Sequence, residues 1–436
     1  MAAKKPAKKS TKKSAKKPAL RVGFGLADVT PPLPFPMAGY VHKQERLAVE
    51  VRDPLTARAV AFSDGKKTAV VASVDLLLIS IPLREGVRAR LVERGVKIDG
   101  LLLSATHTHS STGAFVDRPS TKPFMGVYRP AIFEQLVAGI TDAVAEAVAD
   151  LQAATLTFGQ TQTTNLNWNR RHKDGPVDRA MMLLTAKRKG PDVHVISFGA
   201  HPVVVAEREH YAASADYPAE LCKTFENRGD RAMFVVGPVG GVNVLFPEGP
   251  MDLDVHMELL LRLMREQMAD AAKAAKPVKL GKGVSFGLGQ TRLSIATPAL
   301  FPPRLAWLDA LAMPLRLYVR RFASRSVSED GLTEVPVVRV GDVVYTGYPA
   351  DLGAGVGLAT RRIIEEAGLH VGAVASQTGD YVGYVHMPDD YERYENEDKV
   401  ARWLTIYENA MAFTGRDTGL NLLEGFKRAF AAALEK

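Results

Sequence analysis

Cysteine is nearly missing from this chain, with Cys222 the single one. No intrachain disulfide can form, which excludes the disulfide-stapled class of secreted scaffolds. Cys222 sits in the helix-like run AELCKTFE. A nucleophilic thiol is one reading of it, and a small buried hydrophobe the favoured one. Long apolar runs are also missing. The best stretch, 69–83, is too short to span a bilayer and carries Asp75, so no transmembrane helix is expected. No apolar segment follows the basic start, so a secretory signal is not expected and the chain is assigned to the cytoplasm. CxxC pairs, a P-loop and GxGxxG are all missing, which leaves zinc ribbons, nucleotide hydrolases and Rossmann cofactors unsupported.

Acid is missing from the first 18 residues, MAAKKPAKKSTKKSAKKP, which hold eight lysines. The net charge of the 436-residue chain is +8, so without those eight the remainder is neutral. Such a repeat repels itself and buries nothing, so residues 1–19 are expected to be disordered. The tail is either a solubilising extension or a weak, nonspecific contact to an anionic surface or nucleic acid. It has no arginine or aromatic residue with which to read bases.

What is present is an ordinary globular balance, 46% hydrophobic and 24% charged, over a length that can bury a large core. Strand-like stretches (RVGFGLADV, TARAVAFSD, KTAVVASVD, GLLLSA, HVISFGA, RAMFVVG, VPVVRVGDVVYTG, HVGAVAS) are interspersed with amphipathic helical ones at 82–94, 131–151, 217–228, 253–273, 352–367 and 420–435. No internal repeat or linker interrupts residues 20–436. The expectation is one large α/β (mixed α+β) domain over 20–436, with β-sheets flanked by helices.

Several strands end in residues unsuited to a core. SATHTHS at 104–110 follows an apolar strand, and residues two apart in an extended chain face one side. His107 and His109 would then share a face at a strand end. They would share a metal, or one would bind while the other meets a reacting group. Surface histidines are the bland alternative. ISFGA ends at His201-Pro202, MFVV at GPVGGVN, VVYTG at Tyr348-Pro349-Ala350-Asp351, and GAVASQTGD leads to Tyr381, Tyr384, Tyr391 and Tyr394. Ligands gather beyond strand ends, so these exits are expected to converge on one site.

Taken in order, VGFGLADVTPP…GY (22–40), SATHTHS (104–110), Asn169-Arg170, GAHPVVV (199–205), SADYP (214–218), GPVGGVN (237–243), YPAD (348–351) and YVGY…YE (381–395) resemble the neutral/alkaline non-lysosomal ceramidase family over about residues 20–400. The resemblance implies a zinc hydrolase. It makes His107, His201, Asp351 and Tyr384 the metal ligands, with Asp351 standing where the family has Glu. It puts His109, Arg170 and Tyr394 at the scissile carbonyl, although Tyr394 follows Tyr391 two residues sooner than the family pattern. It further implies the catalytic domain alone, without the C-terminal immunoglobulin-like domain of long ceramidases.

Imidazoles and a carboxylate around zinc leave an open position where water ionises near pH 7. Such a site cleaves the amide of an N-acyl amphiphile, ceramide by resemblance, with His109 or Tyr394 protonating the amine. Two further readings stay open: a zinc hydrolase of another amide or ester, and a decayed homologue that binds lipid or an anionic surface. Where the family carries a Gly-Asp-Val-Ser-type segment, this chain has Gly240-Gly241-Val242-Asn243, so no serine nucleophile is available there.

Residues 304–322 carry Leu308, Leu311, Leu315, Tyr318 and Phe322 at helical spacing, with five arginines over 304–325 and Pro314 in the middle. A kinked helix packed on the core is the favoured expectation. A lid or an interfacial helix is the alternative.

Overall fold

The computed structural model describes residues 20–118, 121–172, 174–245, 251–297, 299–301, 305–323, 331–391 and 406–435. The Lys-rich segment 1–19 and Tyr394 lie outside the described residues.

Two β-sheets lie face to face. The larger contains β1 (Arg21–Asp28), β2 (Thr56–Ser63), β3 (Thr68–Val74), β4 (Gly100–Ala105), β5 (Gln152–Gln162), β6 (Ala180–Arg188), β7 (Val193–Phe198) and β8 (Arg231–Val236). Their order is β8-β7-β6-β5-β1-β2-β3-β4, and Lys276–Pro277 joins alongside β5. The smaller sheet runs β9 (Val284–Arg292), β10 (Leu332–Val340), β11 (Val343–Gly347) and β12 (His370–Ala375) in that order. Most neighbours are antiparallel, but β3–β4, β7–β8 and β11–β12 are parallel pairs.

Strands such as β4 and β7 bury both faces, which explains their unbroken apolar runs in the sequence, whereas β5 and β9 alternate buried and exposed residues. In β2, Ala57, Ala59 and Ala61 face helices α1 (Ile81–Glu93) and α2 (Pro130–Ala149). Val60 and Phe62 of the same strand face the second sheet, where Val338, Val343 and Tyr345 complete a shared core. Helices α3 (Asp216–Glu226) and α4 (Leu253–Lys273) cover the other half of the large sheet. Helices α5 (Ala354–Glu366) and α6 (Thr418–Glu435) cover the outer face of the small one. The result is four layers, helix–sheet–sheet–helix. The helices approach the strands very closely. A Cβ on Gly25 of β1 would lie 2.0 Å from the Ala143 carbonyl oxygen of α2, so glycine is required there.

Cys222 is fully buried on α3, and burial pushes its thiol up to about 12. Segment 304–322 departs from expectation. It forms two helices, Ala306–Leu311 and Met313–Ala323, broken at Ala312. Pro314 lies in the first turn of the second helix, where a missing N–H removes no bond, and so introduces no kink. Nor is the pair packed on the core, because Trp307, Leu311, Leu315 and Tyr318 are all exposed. No helix among the described residues is long and apolar enough to cross a membrane.

Candidate active site

Strands β4, β7, β8, β11 and β12 exit at one end of the two sheets, and residues 376–378 stitch the exits together. The Gln377 carbonyl accepts from Ala105 N (3.1 Å), and its own N–H donates to Ala350 O (3.1 Å). Thr378 N donates to Tyr348 O (2.8 Å), and the Ser376 hydroxyl donates to Gly237 O (2.8 Å).

His107 and His109 do meet, but by a turn and not by strand alternation. β4 stops at Ala105, and His107 adopts a left-handed backbone with φ 67°, a conformation costing a non-glycine residue about 1–2 kcal/mol. Its N–H donates to Leu76 O (2.9 Å), and His109 N donates to Pro202 O (3.2 Å), which ties this turn to the one carrying His201. The ring centroids of His107 and His201 are 4.8 Å apart, those of His107 and His109 5.0 Å, and those of His109 and His201 5.7 Å. One nitrogen from each of the three lies within 4.8 Å of the others.

Backbone carbonyls set the tautomers of two of these rings. His107 Nδ1 bonds Leu77 O at 2.7 Å, and His201 Nδ1 bonds Val242 O at 2.9 Å. A carbonyl only accepts, so Nδ1 carries the proton in each and Nε2 keeps its lone pair. Those two Nε2 atoms are buried without a hydrogen-bond partner among the described residues, as are both nitrogens of His109. Burial drives His109 and His201 well below the usual histidine range, and nearby cationic and imidazole groups add to it. Both rings are therefore neutral at physiological pH. Gly39 explains the glycine of the opening motif. Its φ is +116°, and a Cβ there would stand 2.9 Å from His109 Nδ1.

Asp351 begins a two-residue strand paired in parallel with Tyr384–Val385, which sets Asp351 opposite Tyr384. Its Oδ1 accepts from Gln377 Nε2 (2.8 Å) and its Oδ2 from Tyr381 OH (2.8 Å). Oδ1 also stands 2.9 Å from His107 Nε2, although that contact lacks hydrogen-bond geometry. Burial, then the Asp351 charge, raises the Tyr384 phenol well above its ordinary value, so it is neutral. The Tyr384 OH accepts from Arg170 at 3.0 Å. Arg170 also donates to Asn243 Oδ1 (3.1 Å) and Glu408 Oε1 (2.8 Å). Burial opposes ionisation of Glu408, but Arg170, the His386 hydrogen bond and Arg171 outweigh it and keep the carboxylate charged.

Six of the seven residues singled out from the sequence, His107, His109, Arg170, His201, Asp351 and Tyr384, thus surround one point. The seventh, Tyr394, lies outside the described residues. Sequence reasoning gave no role to Gln377, Tyr381, Tyr407 or Glu408. Gln377 and Tyr381 flank the polar exit of β12, a usable signal. Nothing in the run IYENA distinguishes Glu408.

The site opens into two lobes. One, of about 270 Å³, is lined mainly by apolar groups including Leu77, Leu78, Phe124, Met411 and Phe413, with Tyr318 beside them. The other, of about 660 Å³, takes in Trp168, Arg170, Val203, Glu207 and Asn243. His109, Tyr384 and Tyr407 line both. Two imidazoles anchored through Nδ1 with their Nε2 atoms unpartnered, beside a buried acid held by outer hydrogen bonds, are the donor set of a zinc-type divalent cation. The residues therefore fit such an ion. Asp192, His194 and Asp230 also cluster, but both His194 nitrogens are engaged, by Thr185 and Asp230.

A family model described as neutral/alkaline non-lysosomal ceramidase, N-terminal, matches residues 20–216. The neutral ceramidase of Mycobacterium tuberculosis is 24% identical over 489 aligned positions, covering 88% of this chain and 74% of that one. Among solved structures, a ceramidase complexed with C2 superposes with a TM-score of 0.76 at 20% identity, over 96% of this chain and 75% of that chain. The neutral ceramidase of Pseudomonas aeruginosa gives 0.70 at 21% identity, over 93% and 75%. These structures share the four-layer fold.

Proposed function

Because the chain belongs to the neutral/alkaline non-lysosomal ceramidase family, we propose that it is a zinc-dependent hydrolase that cleaves the amide of an N-acyl amphiphile, ceramide or a close analogue. The observation that carries this reading is the pair of buried, unpartnered Nε2 atoms of His107 and His201, each ring anchored through Nδ1 to a carbonyl, with His107 lining the apolar lobe. His107, His201 and Asp351 would hold the ion, with Tyr384 closing the set. When bound, zinc supplies Lewis acidity toward the substrate carbonyl.

The chain's own residues account for the remaining steps. The apolar lobe takes one hydrocarbon arm of the substrate, and the lobe with Trp168 and Asn243 takes the other. Arg170, kept cationic by Glu408 and positioned by Asn243, puts positive charge where the oxyanion develops, and Tyr384 is the adjacent hydroxyl. A donor so placed is worth about 3 kcal/mol in the transition state. His109, neutral and free at both nitrogens, takes a proton from the attacking water and passes it to the departing amine.

The test is metal analysis of the purified protein with assays on N-acyl-sphingosines, N-acyl amino acids and aryl esters. About one zinc per chain and hydrolysis of the sphingosine amides support the reading. A metal-free protein inert on all three classes overturns it.

A further inference from the structure

We propose that the helix pair Ala306–Leu311 and Met313–Ala323 is a docking surface for a phospholipid bilayer, seated against the mouth of the apolar lobe. This rests on the reading of the cleft as a site for a lipid-like amide.

Soluble proteins rarely leave large apolar side chains exposed together. Here a short stretch does so repeatedly. Trp307 is 63% exposed, Leu311 72%, Leu315 53%, Leu317 50% and Tyr318 68%. The second helix is strongly two-faced, and Arg320 is also exposed on it. A short amphipathic segment with Trp and Leu on one side and cation on the other lies in a lipid interface.

Continuity with the cleft selects the occupant. Tyr318 belongs to the exposed stretch and also lines the apolar lobe. Val41, 68% exposed, lines both lobes. Trp168, 46% exposed, edges the second. Whatever covers Tyr318 and Val41 therefore covers the entrance. A protein partner or a second copy seated there would close the site. A bilayer is the one occupant that covers the entrance and supplies what enters it, because a two-chain amide then slides from lipid into the lobe without crossing water.

The test uses the full chain and phosphatidylcholine vesicles free of any amide substrate. Such vesicles have no net charge to attract the eight tail lysines. Wild type is expected to co-sediment with them, with blue-shifted tryptophan emission, and Leu311→Asp/Leu315→Asp to partition at least tenfold less. The same variant is expected to hydrolyse a short-chain, water-soluble N-acyl amide like wild type and the long-chain amide in vesicles at least tenfold more slowly. Trp307→Ser is expected to lose most of the emission shift. Equal sedimentation of wild type and variant overturns the proposal. So does a variant that changes oligomeric state in ultracentrifugation, which would make the patch a contact between copies. Vesicle binding without hydrolysis of any amide would leave this surface standing and sink the catalytic reading alone.

Discussion

His107 Nε2 and Asp351 Oδ1 face each other at 2.9 Å with no hydrogen bond between them. Each has its other contacts arranged elsewhere, the imidazole through Leu77 O and the carboxylate through Gln377 and Tyr381. Two groups so held are poised for a third body. His107→Ala is expected to abolish zinc retention after dialysis. Gln377→Ala removes an outer support only and should weaken zinc affinity about 10–100-fold. Competition titration against a chelator measures both. Wild-type affinity in the glutamine variant would refute the assignment of Gln377 as a support.

Gly39→Ala should damage the site without touching any proposed ligand. Its φ of +116° disfavours a side chain, and the new methyl would press on His109. Such a residue costs on the order of 1–3 kcal/mol of stability. Hydrolysis is expected to fall more than zinc content. Calorimetry and turnover on one preparation test this, and unchanged turnover would show that the His109 position is not critical.

Glu408→Gln should destabilise the whole fold. The carboxylate is fully buried between Arg170 and Arg171, and removing one partner of a buried pair costs about 3–5 kcal/mol. Urea unfolding measures the loss. A variant as stable as wild type would mean the two guanidinium groups find other partners.

Asp380 contributes a pH dependence. Burial raises its carboxyl from 3.8 to about 6, although Tyr381 N and Thr333 OH donate to it. A carboxyl raised in the folded state favours folding when protonated. Its contribution is complete below about pH 4 and disappears as pH rises through about 6. Asp380→Asn keeps the shape and cannot ionise. Relative to wild type it should gain on the order of 2–3 kcal/mol between about pH 4 and pH 8. Denaturation at those two pH values tests the sign, and a parallel pH response would exclude it.

Much of the architecture was legible in the chain because the central strands are buried on both faces, so runs such as GLLLSA and RAMFVV stand out. Strand exits were legible too, since His201 and Asp351 follow those runs directly. The geometry uniting them was not. Alternation along an extended strand is the wrong reason for His107 and His109 to meet. The φ of 67° at His107 depends on Leu76, on Gln377 and on the turn carrying Pro202, and no local pattern encodes that. Glu408 was invisible because its role exists only where Arg170 and Arg171 lie. Segment 304–322 misled because the same periodicity describes a face turned to the core and a face turned outward.

The stitch formed by residues 376–378 means that neither half of the chain is chemically self-sufficient. All three imidazoles of the site lie before Asp216, whereas the acid, the phenols and the glutamine that brace them lie after Gly347. A fragment ending near Asp216 would keep its histidines and Arg170 but lose the acid, the phenols and the glutamine. Genetic complementation by two separated fragments should therefore require both to be made together, since each supplies the wall against which the other must fold.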